Sequence, residues 1–195
     1  MTGPLALLDS ASLYFRSFFA LPDSMRAADG TQVNAVRGFA DTIARILNDR
    51  HPSRLVCCLD ADWRPKFRTD LLPSYKAHRV AEVVEAGSDV EVVPDPLEAQ
   101  VPVIRDVLAA FGIAVVGADG YEADDVIGTL ATGAGMPVDV VTGDRDLFQL
   151  VHDEAEVRVL YIARGVGRHE RVTNAVVREK YGIDGRQYAD FAALR

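Results

Sequence analysis

The chain contains only two cysteines, and they are adjacent: Cys57 and Cys58. Neighbouring residues of a strand point to opposite faces, so this pair does not form a structural disulfide. The spacing of a zinc site is missing as well. The pair is therefore expected to be two buried thiols in a reduced, cytoplasmic protein. There is also no apolar run long enough to span a bilayer, and the N-terminus has neither a basic leader nor a clear cleavage site. Asp9 and Arg16 interrupt its apolar stretch, so no membrane association is expected. Low-complexity tracts and internal repeats are lacking. So is a surplus of positive charge, because 21 Lys and Arg against 29 Asp and Glu leave a formal charge of −8. That balance excludes a generally basic coat for nucleic acid, while leaving room for a local basic patch.

With those classes set aside, 195 residues accommodate one α/β domain with a sizeable core and a small appendage. Short apolar runs bounded by turn residues read as buried strands over residues 5–8, 54–59, 113–116 and 138–142. Helical periodicity fills the intervals: Leu13, Tyr14, Phe15, Phe18 and Phe19 after a cap at Ser10 or Ser12, then residues 33–50, residues 99–111 stopping at Gly112, residues 121–133, and a short helix over 145–151. Residues 157–162 and 168–172 pair around the Gly165/Gly167 turn. Thr173 caps a helix to Tyr181, and the chain stops at Arg195 inside a further helical pattern. The alternation predicts a mostly parallel sheet covered on both faces.

The acids stand where the strands stop. Asp9 follows Leu5-Ala6-Leu7-Leu8. Asp60 follows Leu55-Val56-Cys57-Cys58-Leu59. Asp144 and Asp146 follow the run 138–142, and Glu122, Asp124 and Asp125 open a helix. Ligands of open α/β sheets gather outside the carboxyl ends of the strands, so these seven carboxylates are expected to meet in one cleft. Like charges about 4 Å apart repel by roughly 4 kcal/mol at an effective dielectric near 20, and cations would offset that repulsion. Taken singly, each acid has an ordinary explanation as a helix cap, a dipole-favoured first turn or a solvated neighbour. It is the combination, at equivalent positions, that points to a site of oxygen ligands for a hard divalent ion.

The segment 63–98 interrupts this order. Arg64, Lys66, Arg68, Lys76 and Arg79 stand against one acid, Asp70. The sign then reverses, with Glu82, Glu85, Asp89, Glu91, Asp95 and Glu98 and no Lys or Arg between residues 80 and 98. It reads as a partly helical, mobile excursion from the core. Lys76 and Arg79, three residues apart, could share a helical face, hold a phosphate backbone and offset charge in a transition state. Two divalent ions about 4 Å apart can activate a water and stabilise a leaving oxygen in phosphodiester hydrolysis.

Four segments in order, Asp9-Ser10-Ala11-Ser12-Leu13-Tyr14-Phe15-Arg16, residues 68–79 with Tyr75-Lys76-Ala77-His78-Arg79, Gly120-Tyr121-Glu122-Ala123-Asp124-Asp125-Val126-Ile127-Gly128, and Thr142-Gly143-Asp144-Arg145-Asp146-Leu147-Phe148-Gln149-Leu150, together resemble the bacterial 5′-nuclease family. That family includes the 5′–3′ exonuclease domain of DNA polymerase I and the flap endonucleases. The resemblance covers nearly the whole chain. It implies a PIN-like fold across residues 1–195, with a helical arch over about 64–98 through which a 5′ single strand passes. It implies Asp9, Asp60, Glu122 and Asp124 around one Mg²⁺ or Mn²⁺ ion, and Asp144 and Asp146 around a second, with Asp124 or Asp125 near both. Lys76, Arg79 and Asp124 would be catalytic. Phe15, Arg16, Arg68, Tyr75, Lys76 and Arg79 would contact DNA, Phe15 by stacking on a base and Arg16 through a phosphate. The family continues into a glycine-rich helix–hairpin–helix region with two further aspartates, which this sequence does not reach. The second metal site is therefore expected to be incomplete here, and the chain by itself to bind metal but cleave poorly.

The expected substrate is DNA with 5′ flaps or 5′ ends, handled by a monomer, with a DNA polymerase as a possible partner. A PIN-type ribonuclease fits less well, because of the basic insertion; comparing RNA with flap DNA as substrate separates the two. A D-x-D phosphatase lacks the sequence pattern around a covalent Asp. A module that grips branched DNA without cutting is the alternative of a different class.

Overall fold

The structure is a computed structural model and describes residues 3–84 and 89–194. Glu85, part of the expected acidic tract, and the terminal Arg195 lie outside the described residues. The main sheet has six strands: β1 (Leu5–Asp9), β2 (Arg54–Cys58), β5 (Ala114–Val116), β6 (Val138–Thr142), β7 (Val157–Tyr161) and β8 (Glu170–Val172). Their order is β5-β2-β1-β6-β7-β8. All neighbours are parallel except β7 and β8, which pair antiparallel as expected. β1 and β6 are central and buried along their whole length, which is why their residues are apolar on both faces rather than alternating, Asp139 of β6 and the terminal Asp9 and Thr142 apart. β5, at the sheet's edge, is exposed.

Alternate residues feed two cores. Leu5, Leu7, Cys58, Val140 and Val159 pack with α6 (Ala123–Gly133), α7 (Asn174–Tyr181) and α8 (Tyr188–Ala193) on one face. Ala6, Leu8, Cys57, Val141 and Leu160 pack on the other with α1 (Ser10–Ala20), α2 (Asn34–Arg50), the short α4 (Asp95–Glu98) and α5 (Gln100–Ala110). Cys57 and Cys58 therefore belong to different cores; both are free, and burial pushes each thiol up to about 12. Where α1 crosses α2 the backbones come close. A Cβ on Gly38 would lie 2.6 Å from Ser17 Cβ, so only glycine fits. The first turn of α2 has no side-chain cap of its own. The buried Gln100 supplies one from α5, accepting from Ala35 N at 2.8 Å and Val36 N at 3.3 Å.

Two local expectations need correction, and a third gains detail. The cap of α1 is Asp9, not Ser10 or Ser12: Asp9 Oδ1 accepts from Ser12 N at 3.3 Å. A carboxylate one residue earlier reaches the orphan amide that a serine inside the first turn cannot. The segment after β6 forms a 3₁₀ stretch, Asp146–Leu150, in place of a regular helix. Between residues 63 and 98, helix is confined to α3 (Lys66–Leu71), a 3₁₀ turn at Ala77–Arg79 and α4, and a small antiparallel hairpin, β3 (Val80–Glu82) with β4 (Val90–Glu91), stands apart from the main sheet.

Candidate active site

The chain steps from β1 to β2 and β5 on one side, then returns across β1 to β6 and β7 on the other. Where the direction reverses, the loops leaving the strands diverge and open a crevice at the carboxyl ends. A cavity of about 1030 Å³ lies there. Asp9, Asp60, Glu122, Asp124 and Asp144 line it, together with Lys76, Arg79, Phe15 and Arg16. The other expected site residues, Asp125, Asp146, Arg68 and Tyr75, are not on its wall.

Hydrogen bonds lace the strand ends together. Thr142, the last residue of β6, donates to Asp9 Oδ2 at 2.7 Å and accepts from Asp144 N at 2.9 Å. Gly143 N donates to Ser12 Oγ at 3.2 Å, and Arg16 donates to Gly143 O at 3.2 Å. A Cβ at Gly143 would sit 2.0 Å from the Arg16 guanidinium, so a larger residue there would push Arg16 off its bond to the carbonyl. Asp60 accepts from Ala123 N at 2.6 Å, which joins the end of β2 to the start of α6. Asp144 accepts from Asp146 N at 2.9 Å, which turns the chain into the 3₁₀ stretch, while the Asp146 side chain stays exposed off the cavity wall.

The basic excursion is clamped onto the first turn of α6. Lys76 Nζ lies 2.8 Å from Glu122 Oε2, the Tyr75 hydroxyl donates to the same carboxylate at 2.9 Å, and Arg68 lies 3.2 Å from it. Arg68 also makes a two-pronged bond to Asp125, at 2.9 and 2.7 Å. Asp125 in turn accepts from Glu122 N at 3.0 Å, closing a capping box. The expectation that Asp125 joins the shared cluster therefore needs correcting: its oxygens are taken by Arg68 and the helix start. Arg68 and Tyr75 likewise turn to these acids. Arg79 is half exposed, 3.8 Å from Glu91. Phe15 stacks on Tyr14, with ring centroids 5.5 Å apart, which covers one of its faces.

Electrostatics separates the acids. Burial pushes Asp9 up to about 6 against its hydrogen bonds from Thr142 and Ser12, with Asp60 and Asp144 pushing the same way. Asp124 is driven further, to about 8, first by burial and then by Asp9, Asp144, Asp60 and Glu122. Asp60 is also raised, chiefly by burial, and Asp146, though exposed, is raised by partial loss of water around it and then by Asp144. Among the described residues, Asp124 has no hydrogen bond or ion pair to relieve it. Nor, among them, are any three His, Cys, Asp or Glu side chains arranged around one point as ligands of a single ion. Glu122 is drawn to Lys76 and Tyr75, and Asp9 to Thr142, which keeps the oxygens from closing on a common centre. The donors are all carboxylate oxygens, and a set of hard oxygen donors suits a hard divalent cation.

Several residues on the wall escaped the sequence. Ser12 lines the cavity, and Thr142 stands just behind it on Asp9; both belong to the segments that carry the family resemblance, but nothing in the spacing revealed their partners across the sheet. Glu91 counted only as part of an acidic tract; β4 brings it to the cavity, where burial raises its carboxyl. Phe19, noted only as part of the helix after Asp9, is 71% exposed and lines the cavity.

Residues 4–182 match the model of the 5′-3′ exonuclease N-terminal resolvase-like domain. The chain is 62% identical over 97% of its length to a 5′-3′ exonuclease of Streptomyces coelicolor, of which it spans 63%. It is 44% identical over 98% of its length to the DNA polymerase I of Mycobacterium bovis, of which it spans 20%. Among solved structures it resembles the bacteriophage T5 D15 flap endonuclease in a pseudo-enzyme–product complex with DNA and metal ions, with a TM-score of 0.68, 18% identity, and coverage of 95% of this chain and 63% of that one. At that identity the likeness speaks for the fold, the expected PIN-like α/β architecture. Together with the family model and the identity to the curated relatives, it shows that the chain belongs to the 5′-3′ exonuclease family and carries that family's N-terminal resolvase-like domain.

Proposed function

We propose that the protein is a structure-specific 5′ nuclease that hydrolyses phosphodiester bonds of DNA at flaps and free 5′ ends, in replication and repair. The observation that carries this is Asp124, a carboxylate in the field of four others at the sheet's reversal point and pushed up to about 8. A protein gains nothing for its own stability from such a cluster. It does gain a place for Mg²⁺ or Mn²⁺ ions. Asp9, Asp60, Glu122 and Asp124 would hold one ion, and Asp144 with Asp146 would contribute to a second. Bound there, a pair of such ions would supply an activated water and charge stabilisation for the leaving oxygen. Glu122 would first have to exchange Lys76 for metal, which frees Lys76 to meet a phosphate beside Arg79. Arg16, fixed by Gly143, would hold a neighbouring phosphate. The 5′-3′ exonuclease and polymerase relatives support DNA as substrate, with work beside a DNA polymerase, and the protein is proposed to act as a monomer in the cytoplasm.

Cleavage of a 5′-flap DNA in Mg²⁺ is the direct test. Asp124→Asn should lower the rate by at least about 100-fold, on the scale of a lost metal contact, with little change in DNA binding in EDTA. An unchanged rate would remove Asp124 from the mechanism. One observation favours the competing reading of a chain that binds branched DNA without cutting: Glu122 and Asp125 are already neutralised by Lys76 and Arg68. No cleavage in Mg²⁺ or Mn²⁺, with flap binding intact, would decide for it.

A further inference from the structure

A second, smaller cavity of about 400 Å³ opens beside the loop after β6. Arg145, Arg164, Arg168 and Lys180 line it, against one acid, Glu170. This is a concentration of positive charge in a chain whose formal charge is −8. Lys180 and Glu170 pair with each other. Arg145 donates to the Tyr161 hydroxyl at 3.1 Å and lies over that ring, 5.8 Å from its centroid. Arg164 and Arg168, on the β7–β8 connection, are exposed and have no acidic partner among the described residues. The aromatic walls are engaged already: Tyr161 packs on Phe148, and Tyr181 on Tyr188. Bases would find little open ring face here, while phosphates would find free guanidinium groups.

Position relates this cleft to the acidic cavity. Arg145 sits between Asp144 and Asp146 in the chain, and Ala163 forms part of the wall of both cavities. We propose that the cleft of Arg145, Arg164 and Arg168 holds backbone phosphates of duplex DNA where the substrate continues past the acidic cavity. The inference rests on the proposed action on DNA and deepens it. The cleft would contribute affinity and placement without reading sequence, since phosphates carry none. It would also counter the repulsion that five carboxylates exert on an approaching polyanion.

The test is the salt dependence of binding to a flap-bearing duplex, measured in EDTA so that the result does not depend on whether the protein cuts. Each arginine that neutralises a duplex phosphate adds about 0.9 to the slope of log K against log salt. Arg164→Gln with Arg168→Gln should flatten that slope by about 1.8 and weaken binding at low salt about tenfold or more, with an unchanged unfolding midpoint. Arg164→Lys with Arg168→Lys should restore most of the slope, because the charge is kept. An unchanged slope in the glutamine variant, with binding intact, overturns the proposal. So does a loss that the lysine variant fails to recover, which would mean a structural role for the connection. Failure of the proposed nuclease activity would show instead in the cleavage assay of Asp124→Asn and leave this slope as it is.

Discussion

The chain buries aspartates in two places, and the two are treated in opposite ways. Asp139 lies inside β6 and is 0% exposed. Arg50, the last residue of α2, reaches it at 2.8 Å, and Arg158, its register partner on β7, bonds its other oxygen. One carboxylate has two guanidinium groups, so its charge is answered within the fold. At the other end of the sheet, Asp9 and Asp124 are also withdrawn from water, but their neighbours are more carboxylates, and both are pushed well above the ordinary range. A buried acid that serves the fold comes with its own cations. One that serves chemistry is left short of them, and the deficit is what a metal ion can supply.

The largest expected effect belongs to the satisfied aspartate. Asp139→Ala leaves two largely buried arginines without their shared partner, and breaking such a group costs about 3 kcal/mol or more. Chemical denaturation should show that loss in EDTA and in Mg²⁺ alike. A loss below about 1 kcal/mol would mean that the arginines find water easily, and the contrast between the two regions would weaken.

Asp124→Asn should have the opposite sign. A carboxyl whose folded-state value is raised to about 8 stabilises the fold fully below its ordinary value near 3.8 and loses that contribution as pH rises through 8. Asp9, raised to about 6, acts in the same direction over a lower window. In EDTA the unfolding midpoint should therefore fall between about pH 4 and pH 8. Asparagine at position 124 should flatten the upper part of that fall and raise the midpoint at pH 8 by several degrees. Adding Mg²⁺ at pH 8 should raise the native protein's midpoint more than the variant's, since ligand bound only to the folded state stabilises it. A midpoint that rises with pH in EDTA would show that the acids are relieved by some other means.

The same contrast marks what could be read from the chain. Strand runs and their terminal acids were legible, because central parallel strands are apolar on both faces and end abruptly at polar turns. Five of the seven expected carboxylates do line one cavity. What escaped is pairing across long separations. Asp139 stood in plain view inside Val138-Asp139-Val140, but its partners are 89 and 19 positions away. Asp125 looked like a further ligand because a helix start shows only its own acids; the arginine that claims it comes from position 68. Residues 63–98 showed a basic block followed by an acidic one, and no periodicity in such a segment announces a hairpin that folds back to place Glu91 on the wall.

The smallest effect sharpens the comparison most. Thr142 donates to Asp9 at 2.7 Å, a neutral side chain easing a carboxylate of the acidic cavity from the neighbouring strand. Thr142→Val keeps the shape and removes the donor. A hydrogen bond to an ionised oxygen is stronger than one to a neutral carboxyl, so the variant should lose about 1 kcal/mol at pH 8, or about 2–4 °C in midpoint, and less below pH 6, where Asp9 holds its proton. Carboxyl NMR should find Asp9 titrating above its native value near 6. Magnesium should then restore more stability to Thr142→Val than to the native chain, because an ion replaces the missing donor. If the loss were equal at pH 5 and pH 8, the threonine would be fastening β1 to β6 regardless of charge, and Asp9 would belong with Asp139 among the acids that the fold satisfies by itself.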